Sequence, residues 1–318
     1  MSVIMPAYNA RHTIVEAVAS ALTQTFRPLE VVVVDDGSVD NTAEVVQQGF
    51  DAGVRLISGP HRGRGAARNT GLAAGRGAYV QFLDADDLLA PEKVEAQVAF
   101  LEANPQYGVA YGLVEYFAAD DPSHRWRPIP RDGHPSGNVL ASIVDNGLLL
   151  PISAVVRASV IRDVGGFDES LLSNEDWDLW LRIAASGVLF AFFPPDDRVV
   201  AWYRVRPPGP APYPDPHLRS GVQVLSKLQR LLPRDLARAL RLRRAIGSWR
   251  FGYGRSLLQA GRRWAGTREM TRAIVEDPRS WDYKLAWTIL GSSLGGRYAG
   301  TLIERVQRGL GGTRRADP

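Results

Sequence analysis

Short runs of apolar, mostly β-branched residues alternate with longer segments of helical periodicity over the first hundred positions. The short runs predict strands at 3–5, 31–34, 54–57 and 79–83. The segments 13–24, 42–50, 66–74 and 91–102 carry apolar residues three and four positions apart and predict helices. Because the second strand is apolar throughout, we expect helices to cover both of its faces, as in a parallel sheet. The pattern therefore predicts an α/β fold with a doubly wound sheet flanked by helices.

The pattern becomes less regular after a further strand-like run at 107–111. Residues 118–137 are rich in Asp, Pro, Arg and Gly and predict a loop or lid, followed by apolar segments at 139–156, a helix at about 174–186 and strands at 189–193 and 199–204. Six prolines fall within 207–216, which favours a linker. We therefore predict a first domain over 1–206, a Pro-rich linker over 207–216 and a helical domain over 217–318.

The predicted helical domain contains six segments of helical periodicity. They are 218–232, 233–247, 249–265, 267–275, 281–294 and 298–309. Residues 253–261 and 270–278 faintly resemble a tetratricopeptide-like helical hairpin, but a single unit does not predict a repeat array.

Composition adds two constraints. The chain has no cysteine, which excludes disulfides, thiolate nucleophiles, iron–sulfur clusters and cysteine-bound zinc, so any metal must take oxygen or histidine ligands. The net charge of +4 conceals a division: residues 1–214 carry 17 basic and 26 acidic side chains, and residues 215–318 carry 21 and 8. The two parts are expected to have different roles or partners.

The basic C-terminal region has three interpretations. Its positive charge could attract an anionic membrane surface, bind an acidic protein or nucleic acid, or form a solvated surface. The use of 35 arginines against 3 lysines favours the last, because it indicates a general preference for arginine. No segment resembles a nucleic-acid-binding module, so no nucleic-acid partner is expected.

The N-terminus does not resemble a signal peptide, because no basic region precedes an apolar stretch and Pro6 and Asn9 interrupt the apolar residues. The most apolar stretches, 147–156 and 285–294, are shorter than the roughly 20 residues that a bilayer crossing needs. We expect a cytoplasmic protein, either free or peripheral at the inner face of the membrane.

Carboxylates follow two of the predicted strands. Asp35 and Asp36 come after the second strand, and Asp84, Asp86 and Asp87 come after the fourth. Since parallel strands open on the same edge of a sheet, these side chains are expected to meet in one crevice. Aspartates also favour turns and helix N-caps, but clustered carboxylates repel one another unless a cation binds. Oxygen ligands of this kind suit Mg²⁺ or Mn²⁺ held against a diphosphate.

Two further segments carry candidate chemistry. Gly63-Arg64-Gly65 begins a partial dinucleotide-binding pattern, but Arg68 replaces its third glycine and the segment follows the third strand, so a nicotinamide enzyme is not favoured. Arg68 is interpreted either as a phosphate or carboxylate partner or as a surface arginine. In 174–182, Asp176 shares a helix face with Trp180 and Asp178 with Arg182, and one of these pairs is expected to point inward.

Five segments in order resemble the inverting family 2 glycosyltransferases of the GT-A fold. They are Val3-Ile4-Met5-Pro6-Ala7-Tyr8-Asn9, Val33-Val34-Asp35-Asp36-Gly37-Ser38, Ala67-Arg68-Asn69-Thr70-Gly71, Phe82-Leu83-Asp84-Ala85-Asp86-Asp87, and Gly165-Gly166-Phe167-Asp168-Glu169 with Glu175-Asp176. The order and spacing of the motifs make the resemblance specific over about residues 1–205. It implies a GT-A type mixed sheet, followed here by a helical region that it does not cover.

The resemblance implies roles for individual residues. Tyr8 would lie against the nucleotide base, Asp36 would accept a hydrogen bond from the ring N–H of the base, and Arg68 would sit near the donor. Asp84 would bind the ribose or assist the metal, Asp86 would coordinate Mn²⁺ or Mg²⁺ on the diphosphate, and Asp176 would be the general base. The further substrate-binding candidates are Pro6, Glu175 and Trp177.

The chain also departs from part of the family. Processive members carry a Gln-x-x-Arg-Trp motif and transmembrane helices, and this sequence has neither, which predicts transfer of a single sugar. A histidine that serves some relatives as a third metal ligand is not evident, and His217 is the remaining candidate. Whether Asp86 or Asp87 is the main ligand stays open.

The function predicted from the sequence is transfer of one sugar from a nucleotide diphosphate-sugar to a hydroxyl of a cell-surface glycan, a lipid-linked sugar or a similar acceptor. A metal-dependent nucleotidyltransferase is one alternative, although such enzymes favour a glycine-rich loop with a lysine near the N-terminus, and the first lysine here is Lys93. A non-catalytic sugar-nucleotide-binding scaffold is the other.

Overall fold

A computed structural model of the 318-residue chain describes residues 1–50, 53–127, 133–146, 150–194, 196, 198–206 and 215–277. The chain divides into two compact units, Met1–Gly209 and Pro210–Pro318. Most of the predicted linker and the predicted helices at 281–294 and 298–309 lie outside the described residues. A helix begins at Pro216, the last residue of the predicted linker, because the Asp215 side chain caps it by accepting from the backbone N–H groups of His217 and Leu218.

The first unit alternates strands and helices. Its strands are β1 (Ser2–Ala7), β2 (Glu30–Asp35), β3 (Val54–Ser58), β4 (Tyr79–Phe82), β5 (Leu88–Leu89), β6 (Tyr107–Tyr111), β7 (Leu113–Ala118), β8 (Arg125–Trp126), β9 (Ala154–Arg157), β10 (Leu189–Phe192) and β11 (Val199–Val205). Its helices are α1 (Ile14–Leu22), α2 (Thr42–Gly49), α3 (Arg64–Ala74), α4 (Lys93–Ala103), α5 (Leu140–Asn146), α6 (Ala158–Asp163) and α7 (Glu175–Ala185), with a 3₁₀ turn at Pro151–Ser153.

Seven strands form a mixed sheet in the order β10-β6-β9-β4-β1-β2-β3. The strands β1 to β4 pair in parallel, and β9 runs antiparallel between β4 and β6. The first four predicted strands and the mixed α/β sheet are therefore confirmed. Because β1 to β4 are parallel, the segments that follow them emerge at one edge of the sheet.

The apolar run of β2 is explained by helices on both faces of the sheet. Val31 and Val33 pack into a cluster with α1, whereas Val32 and Val34 pack with Ala67 of α3 on the other face. The helix α3 lies close to the sheet: a Cβ at Gly71 would stand 2.3 Å from Ile4 Cγ2. This close packing fixes the start of α3 at the strand edge.

A second sheet lies beyond the acidic segment that follows β4. Its order is β5-β11-β7-β8, and β5 joins it through the pairs Ala201↔Leu89 and Trp202↔Leu88. Since β5 directly follows Asp87, this pairing holds the end of β11 beside the Asp84–Asp87 loop. Residues 118–137, predicted as a loop, include the short strand β8, which pairs with β7.

A buried network of hydrogen bonds connects β4 with α4 and with the 3₁₀ turn. Lys93 of α4 is 2% exposed, and its Nζ donates to the side-chain oxygens of Gln81 in β4 and Gln97. Gln81 and Gln97 in turn donate to backbone carbonyls of the 3₁₀ turn. Burial lowers the pKa of Lys93 well below its usual value.

The described part of the second unit is helical. It consists of α8 (Pro216–Leu231), α9 (Arg234–Ala239), α10 (Leu242–Gln259) and α11 (Arg263–Glu276). The predicted helix boundary at 247–249 is wrong, since α10 continues through it. Glycine is required within α10, because a Cβ at Gly254 would stand 2.5 Å from Met270 Cγ of α11. The two helices thus pack closely across the short turn that joins them.

Candidate active site

A cleft of about 450 Å³ lies at the edge of the seven-stranded sheet where β1, β2 and β4 end. Residues that follow all three strands line it, together with the segment before α3, the segment before α7 and the end of β11. The lining residues are Pro6, Ala7, Tyr8, Ala10, Asp36, His61, Arg62, Gly63, Arg64, Gly65, Ala67, Asp84, Ala85, Asp86, Glu169, Leu171, Leu172, Glu175, Tyr203 and Arg206. Six predicted site residues are among them: Pro6, Tyr8, Asp36, Asp84, Asp86 and Glu175.

One end of the cleft has an aromatic wall. The ring of Tyr8, which is 49% exposed, stacks on the ring of His61 with centroids 4.1 Å apart. The imidazole Nδ1 of His61 lies 2.8 Å from Asp36 Oδ2. This end therefore combines a flat apolar surface with a carboxylate, which suits a nucleotide base.

The loop between β3 and α3 fixes the Asp36 carboxylate. The backbone N–H groups of Arg62 and Gly63 donate to its two oxygens at 2.8 and 2.9 Å. The next residue, Gly37, has φ +76°, and a Cβ there would stand 2.7 Å from the backbone nitrogen of His61. The Asp-Gly pair thus lets the two loops approach closely.

Each of the three carboxylates after β4 has a different basic neighbour. Asp84 accepts from Arg68 Nη2 at 2.6 Å, Asp86 Oδ2 lies 3.1 Å from Arg206 Nη2, and Asp87 accepts from the backbone N–H of Arg204 at 2.8 Å. Asp87 is 1% exposed, whereas Asp84 and Asp86 face the cleft.

The pKa values of the three aspartates in this cluster are shifted in different directions. Burial acts to raise the pKa of Asp84, but the charges of Arg68 and Arg64 outweigh it and leave that pKa below its ordinary value. Burial, followed by the charge of Asp84, raises the pKa of Asp86. Burial and the two neighbouring aspartates raise the pKa of Asp87 well above its ordinary value. The cluster therefore holds more negative charge than its arginines offset.

Arg68 joins the two acidic parts of the site. It is fully buried, donates to Asp84 through Nη2 and to Glu175 through Nη1 at 2.7 Å, and lies over the Phe167 ring. Burial alone would lower its pKa, but the two carboxylates outweigh that effect and raise it. Arg68 was expected near the donor, but it is absent from the cleft lining because its guanidinium lies beneath the two carboxylates that it binds.

The first turn of α7 carries acidic residues with different surroundings. Glu175 is 3% exposed and is bound to Arg68. Asp178 pairs with Arg182 at 2.7 Å, and Arg182 donates to the carbonyls of Val164 and Gly166, so this inward pair anchors the preceding turn. Trp180 is also buried, at 1% exposed.

Asp176 is more accessible than Glu175 and accepts from the backbone N–H of Trp177 at 2.8 Å. Burial, followed by the charge of Glu175, raises its pKa. Asp176 is next to the cleft residue Glu175 in sequence but is not itself among the lining residues. Trp177, expected to bind substrate, is 7% exposed and donates from its ring to the Ile143 carbonyl, which gives it a packing role.

Sequence reasoning missed several residues of the cleft. His61 and Arg62 precede α3, Arg64 begins it, Glu169 precedes α7, and Arg206 follows β11. Arg62 binds Glu169 at 2.6 Å, across the cleft mouth from one loop to another. The concentration of basic residues at 61–64 was a usable signal, whereas the position of Arg206 depends on the pairing of β11.

The cleft provides some, but not all, of the ligands that a divalent cation needs. Asp84 and Asp86 offer oxygen ligands on the cleft surface, as Mg²⁺ and Mn²⁺ prefer. Within the described residues, no three His, Cys, Asp or Glu side chains are grouped as a complete metal site. A cation here would need further oxygens from a diphosphate or from water. His217 lies on α8, where its ring contacts Trp249, and its role as a ligand stays a prediction.

Among the described residues, none of the helices combines the length and the apolar character that crossing a bilayer requires.

Comparison with known proteins gives one family and several related folds. The profile of the family described as Glycosyl transferase family 2 matches residues 2–148. An uncharacterized glycosyltransferase of Rickettsia felis is 31% identical over 186 residues, 58% of this chain and 30% of the relative. The chain thus spans less than a third of the length of this relative.

A second relative has a described activity in its name. The Escherichia coli protein UDP-Glc:alpha-D-GlcNAc-diphosphoundecaprenol beta-1,3-glucosyltransferase WfaP is 29% identical over 194 residues, which are 59% of this chain and 71% of that protein.

Solved structures with similar folds include two complexes with nucleotide-sugars. Residues 1–349 of S. aureus TarS with UDP-GlcNAc align with a TM-score of 0.58 and 19% identity over 87% of each chain. The mannosyltransferase PcManGT from Pyrobaculum calidifontis, with GDP-Man and Mn²⁺, aligns with a TM-score of 0.58 and 22% identity over 96% of this chain and 79% of that one. The fold is therefore of the GT-A type, and residues 2–148 of the N-terminal unit match the profile of glycosyl transferase family 2.

Proposed function

We propose that this protein is an inverting glycosyltransferase that moves one sugar from a nucleotide diphosphate-sugar to an acceptor hydroxyl. The observation that carries the proposal is the bridge formed by Arg68 between Asp84 and Glu175. Through this bridge, the carboxylates after β4 lie one guanidinium away from the acidic first turn of α7. The carboxylates after β4 suit a cation that is bound to a diphosphate. Direct displacement at a sugar carbon needs these two groups near each other: one at the leaving diphosphate and one at the attacking hydroxyl.

The donor is proposed to lie along the cleft with its base at the Tyr8 end. Tyr8 and His61 offer the stacking surface, Pro6 lines the same end, and Asp36 offers a fixed carboxylate for a ring N–H. The diphosphate then extends toward Asp84 and Asp86. TarS and PcManGT hold UDP-GlcNAc and GDP-Man in folds of this type, which supports a nucleotide-sugar without selecting its base or sugar.

Asp84 and Asp86 are proposed to hold Mn²⁺ or Mg²⁺, which when bound neutralises negative charge on the leaving diphosphate. We assign Asp86 rather than Asp87 as the main ligand, because Asp86 lines the cleft and Asp87 is buried against the Arg204 backbone. The buried pair with Arg68 holds Asp84 in place and keeps it ionised.

Asp176 is proposed as the general base that takes the proton of the acceptor hydroxyl. Its neighbour Glu175 is bound to Arg68, whereas Asp176 is more accessible and has a raised pKa. A raised pKa brings a carboxylate closer to the basicity that proton abstraction needs near neutral pH.

The acceptor is proposed to be a glycan or a lipid-linked sugar. WfaP, by its name, acts on a diphosphoundecaprenol-linked GlcNAc, and chondroitin synthase of Escherichia coli is 31% identical to this chain over 203 residues. A cytoplasmic location, with the basic second unit at an anionic membrane surface, is the arrangement we propose for such an acceptor.

The test is a donor screen with product analysis. The protein is incubated with UDP-, GDP- and dTDP-sugars and Mn²⁺ or Mg²⁺, and released nucleotide and sugar anomers are followed by chromatography and NMR. We expect a nucleoside diphosphate and, with a suitable acceptor, a product of inverted anomeric configuration. Transfer of the nucleoside monophosphate group with release of a sugar 1-phosphate would support the nucleotidyltransferase alternative, and binding without turnover of any donor or acceptor would support the scaffold alternative.

A further inference from the structure

The end of β11 presents two arginines to the loop after β4. Arg204 Nε donates to the carbonyl of Asp86 at 2.7 Å, and Arg204 Nη2 binds Glu16 at 2.6 Å. Arg206, two positions on along the same extended segment, places Nη2 3.1 Å from Asp86 Oδ2. Residues two positions apart on a strand lie on the same face, so the side chains of Arg204 and Arg206 both reach the loop after β4.

The three arginines around this loop differ in exposure. The side chains of Arg68 and Arg204 are 0% and 10% exposed, whereas that of Arg206 is 57% exposed and lines the cleft. Arg68 and Arg204 are held by several partners inside the protein. An ion pair as exposed as Arg206 with Asp86 contributes little stability. Arg206 is therefore free to meet an anion in the cleft at small energetic cost.

A cation beside Asp86 is favoured on electrostatic grounds. Arg62 and Arg64 also line the cleft, where they pair with Glu169 and Glu175, whereas Arg206 pairs with Asp86. A nucleoside diphosphate would approach Asp84 and Asp86, and like charges in a partly enclosed site repel strongly. Arg68 offsets Asp84 but is buried beneath it and is absent from the cleft lining. A guanidinium has five N–H donors, so Arg206 can keep one on Asp86 and direct others at phosphate oxygens.

We propose that Arg206 is a diphosphate-binding residue that bridges Asp86 and the leaving diphosphate of the donor. The cleft therefore retains part of its affinity for a diphosphate when no divalent cation is present. This inference rests on the proposed function, since it assumes that the cleft takes a nucleotide diphosphate. The guanidinium stays charged throughout, and no bond to it forms or breaks.

The experiment is calorimetric titration of the full chain with inorganic pyrophosphate and with UDP, GDP and dTDP, in EDTA and in Mn²⁺. We expect measurable diphosphate binding in EDTA, reduced about tenfold or more in Arg206→Gln and partly restored in Arg206→Lys. In Mn²⁺ the loss should be smaller, because the metal then shares the charge of the diphosphate. Uridine, guanosine and thymidine monophosphates should show a smaller effect of Arg206→Gln than the diphosphates.

Arg198→Gln is the matched control. Arg198 stands at the other end of β11, is 56% exposed and pairs with Glu92 and Asp196, so its loss removes the same charge away from the cleft. Equal diphosphate affinity of Arg206→Gln and the unchanged protein in EDTA would overturn the inference, and so would binding that depends wholly on Mn²⁺. Failure of every nucleotide to bind in either condition would instead contradict the proposed function.

Discussion

The carboxylates of the two acidic segments beside the cleft, the loop after β4 and the first turn of α7, have different partners. In the loop after β4, each of Asp84, Asp86 and Asp87 has a bond from an arginine, either from its side chain or from its backbone. In the first turn of α7, Glu175 and Asp178 are bound to arginine side chains, whereas the bond to Asp176 comes from its own helix backbone. The arginine bonds hold the other carboxylates in position, and the different partner of Asp176 agrees with its proposed role in proton transfer.

Removing the base should give the largest effect. Asp176→Asn keeps the size of the side chain and its bond to the Trp177 N–H but cannot take a proton at neutral pH. We expect the turnover number to fall by about 10²–10⁴-fold with donor affinity nearly unchanged. Steady-state kinetics and calorimetric donor binding measure the two quantities.

Asp196→Asn is the control for that measurement, because Asp196 pairs with Arg198 on the surface and is half exposed. Full turnover by Asp176→Asn would show that Asp176 is not the general base. Glu175 would then be the next candidate for that role.

Removing the bridge should give the next effect, mainly on stability. Arg68→Ala leaves Asp84 and Glu175 close together without their shared buried cation, and breaking one side of such a buried pair costs about 3–5 kcal/mol of the free energy of unfolding. Arg68→Lys keeps the charge but loses the planar fork, so we expect an intermediate stability with the Michaelis constant for donor raised and partial recovery of turnover. Chemical denaturation and steady-state kinetics test both variants.

Arg62→Ala is the comparison for Arg68. Arg62 begins the same loop-helix segment, but its pair with Glu169 is exposed at 60% and 40%, so its loss should change the free energy of unfolding by no more than about 1 kcal/mol. Equal effects of the two substitutions on stability would show that the Arg68 bridge does not hold the two acidic parts together.

The smallest expected effect is a shift in pH dependence. Because burial and the charge of Glu175 raise the pKa of Asp176, the acid limb of the turnover profile should lie above the ordinary value of 3.8 for aspartate. A base must be ionised, so activity is lost as the pH falls through that raised pKa. Glu175→Gln removes a like charge and leaves the positive charge of Arg68 less offset, so both changes lower the pKa of Asp176.

The acid limb should therefore move to lower pH in Glu175→Gln and stay in place in Asp196→Asn. An acid limb that moves to higher pH in Glu175→Gln would contradict the assignment of Asp176 as the ionised base.

Much of the first unit could be predicted from the sequence because its signals are local. The valine run of β2 and the periodicity of α1 and α3 specify their elements within ten residues or so, and Asp36, Asp84 and Asp86 follow strands whose direction is set by the fold class. The strands β5 and β8 have two residues each and leave no periodic pattern. The extent of α10 was missed because Gly247 resembles a helix end when only the local sequence is considered, although α10 runs from Leu242 to Gln259.

The contacts that organise the site could not be predicted in the same way. Arg68 and Glu175 are 107 positions apart, and Arg206 reaches Asp86 through the pairing of β11 with β5. Such contacts depend on tertiary geometry that no local pattern encodes. The packing role of Trp177 was hidden for the same reason, since its partner Ile143 lies on a separate helix.

The pairing of β6 with β9 has a consequence for how the segment between them can vary in length. Tyr111 of β6 pairs with Ala154 of β9, so the segment between these two residues leaves the sheet and returns to it at the same position. Within it, Ala118 is held by pairing with Val205, and Val139 is buried in the core. A change in the length of the connection between β7 and β8, at 119–124, mainly alters the entropy of loop closure, about 0.6 kcal/mol for each doubling. Insertions there leave the pairing of β7 with β11 in place, so Asp84, Arg68 and Asp176 can keep their positions.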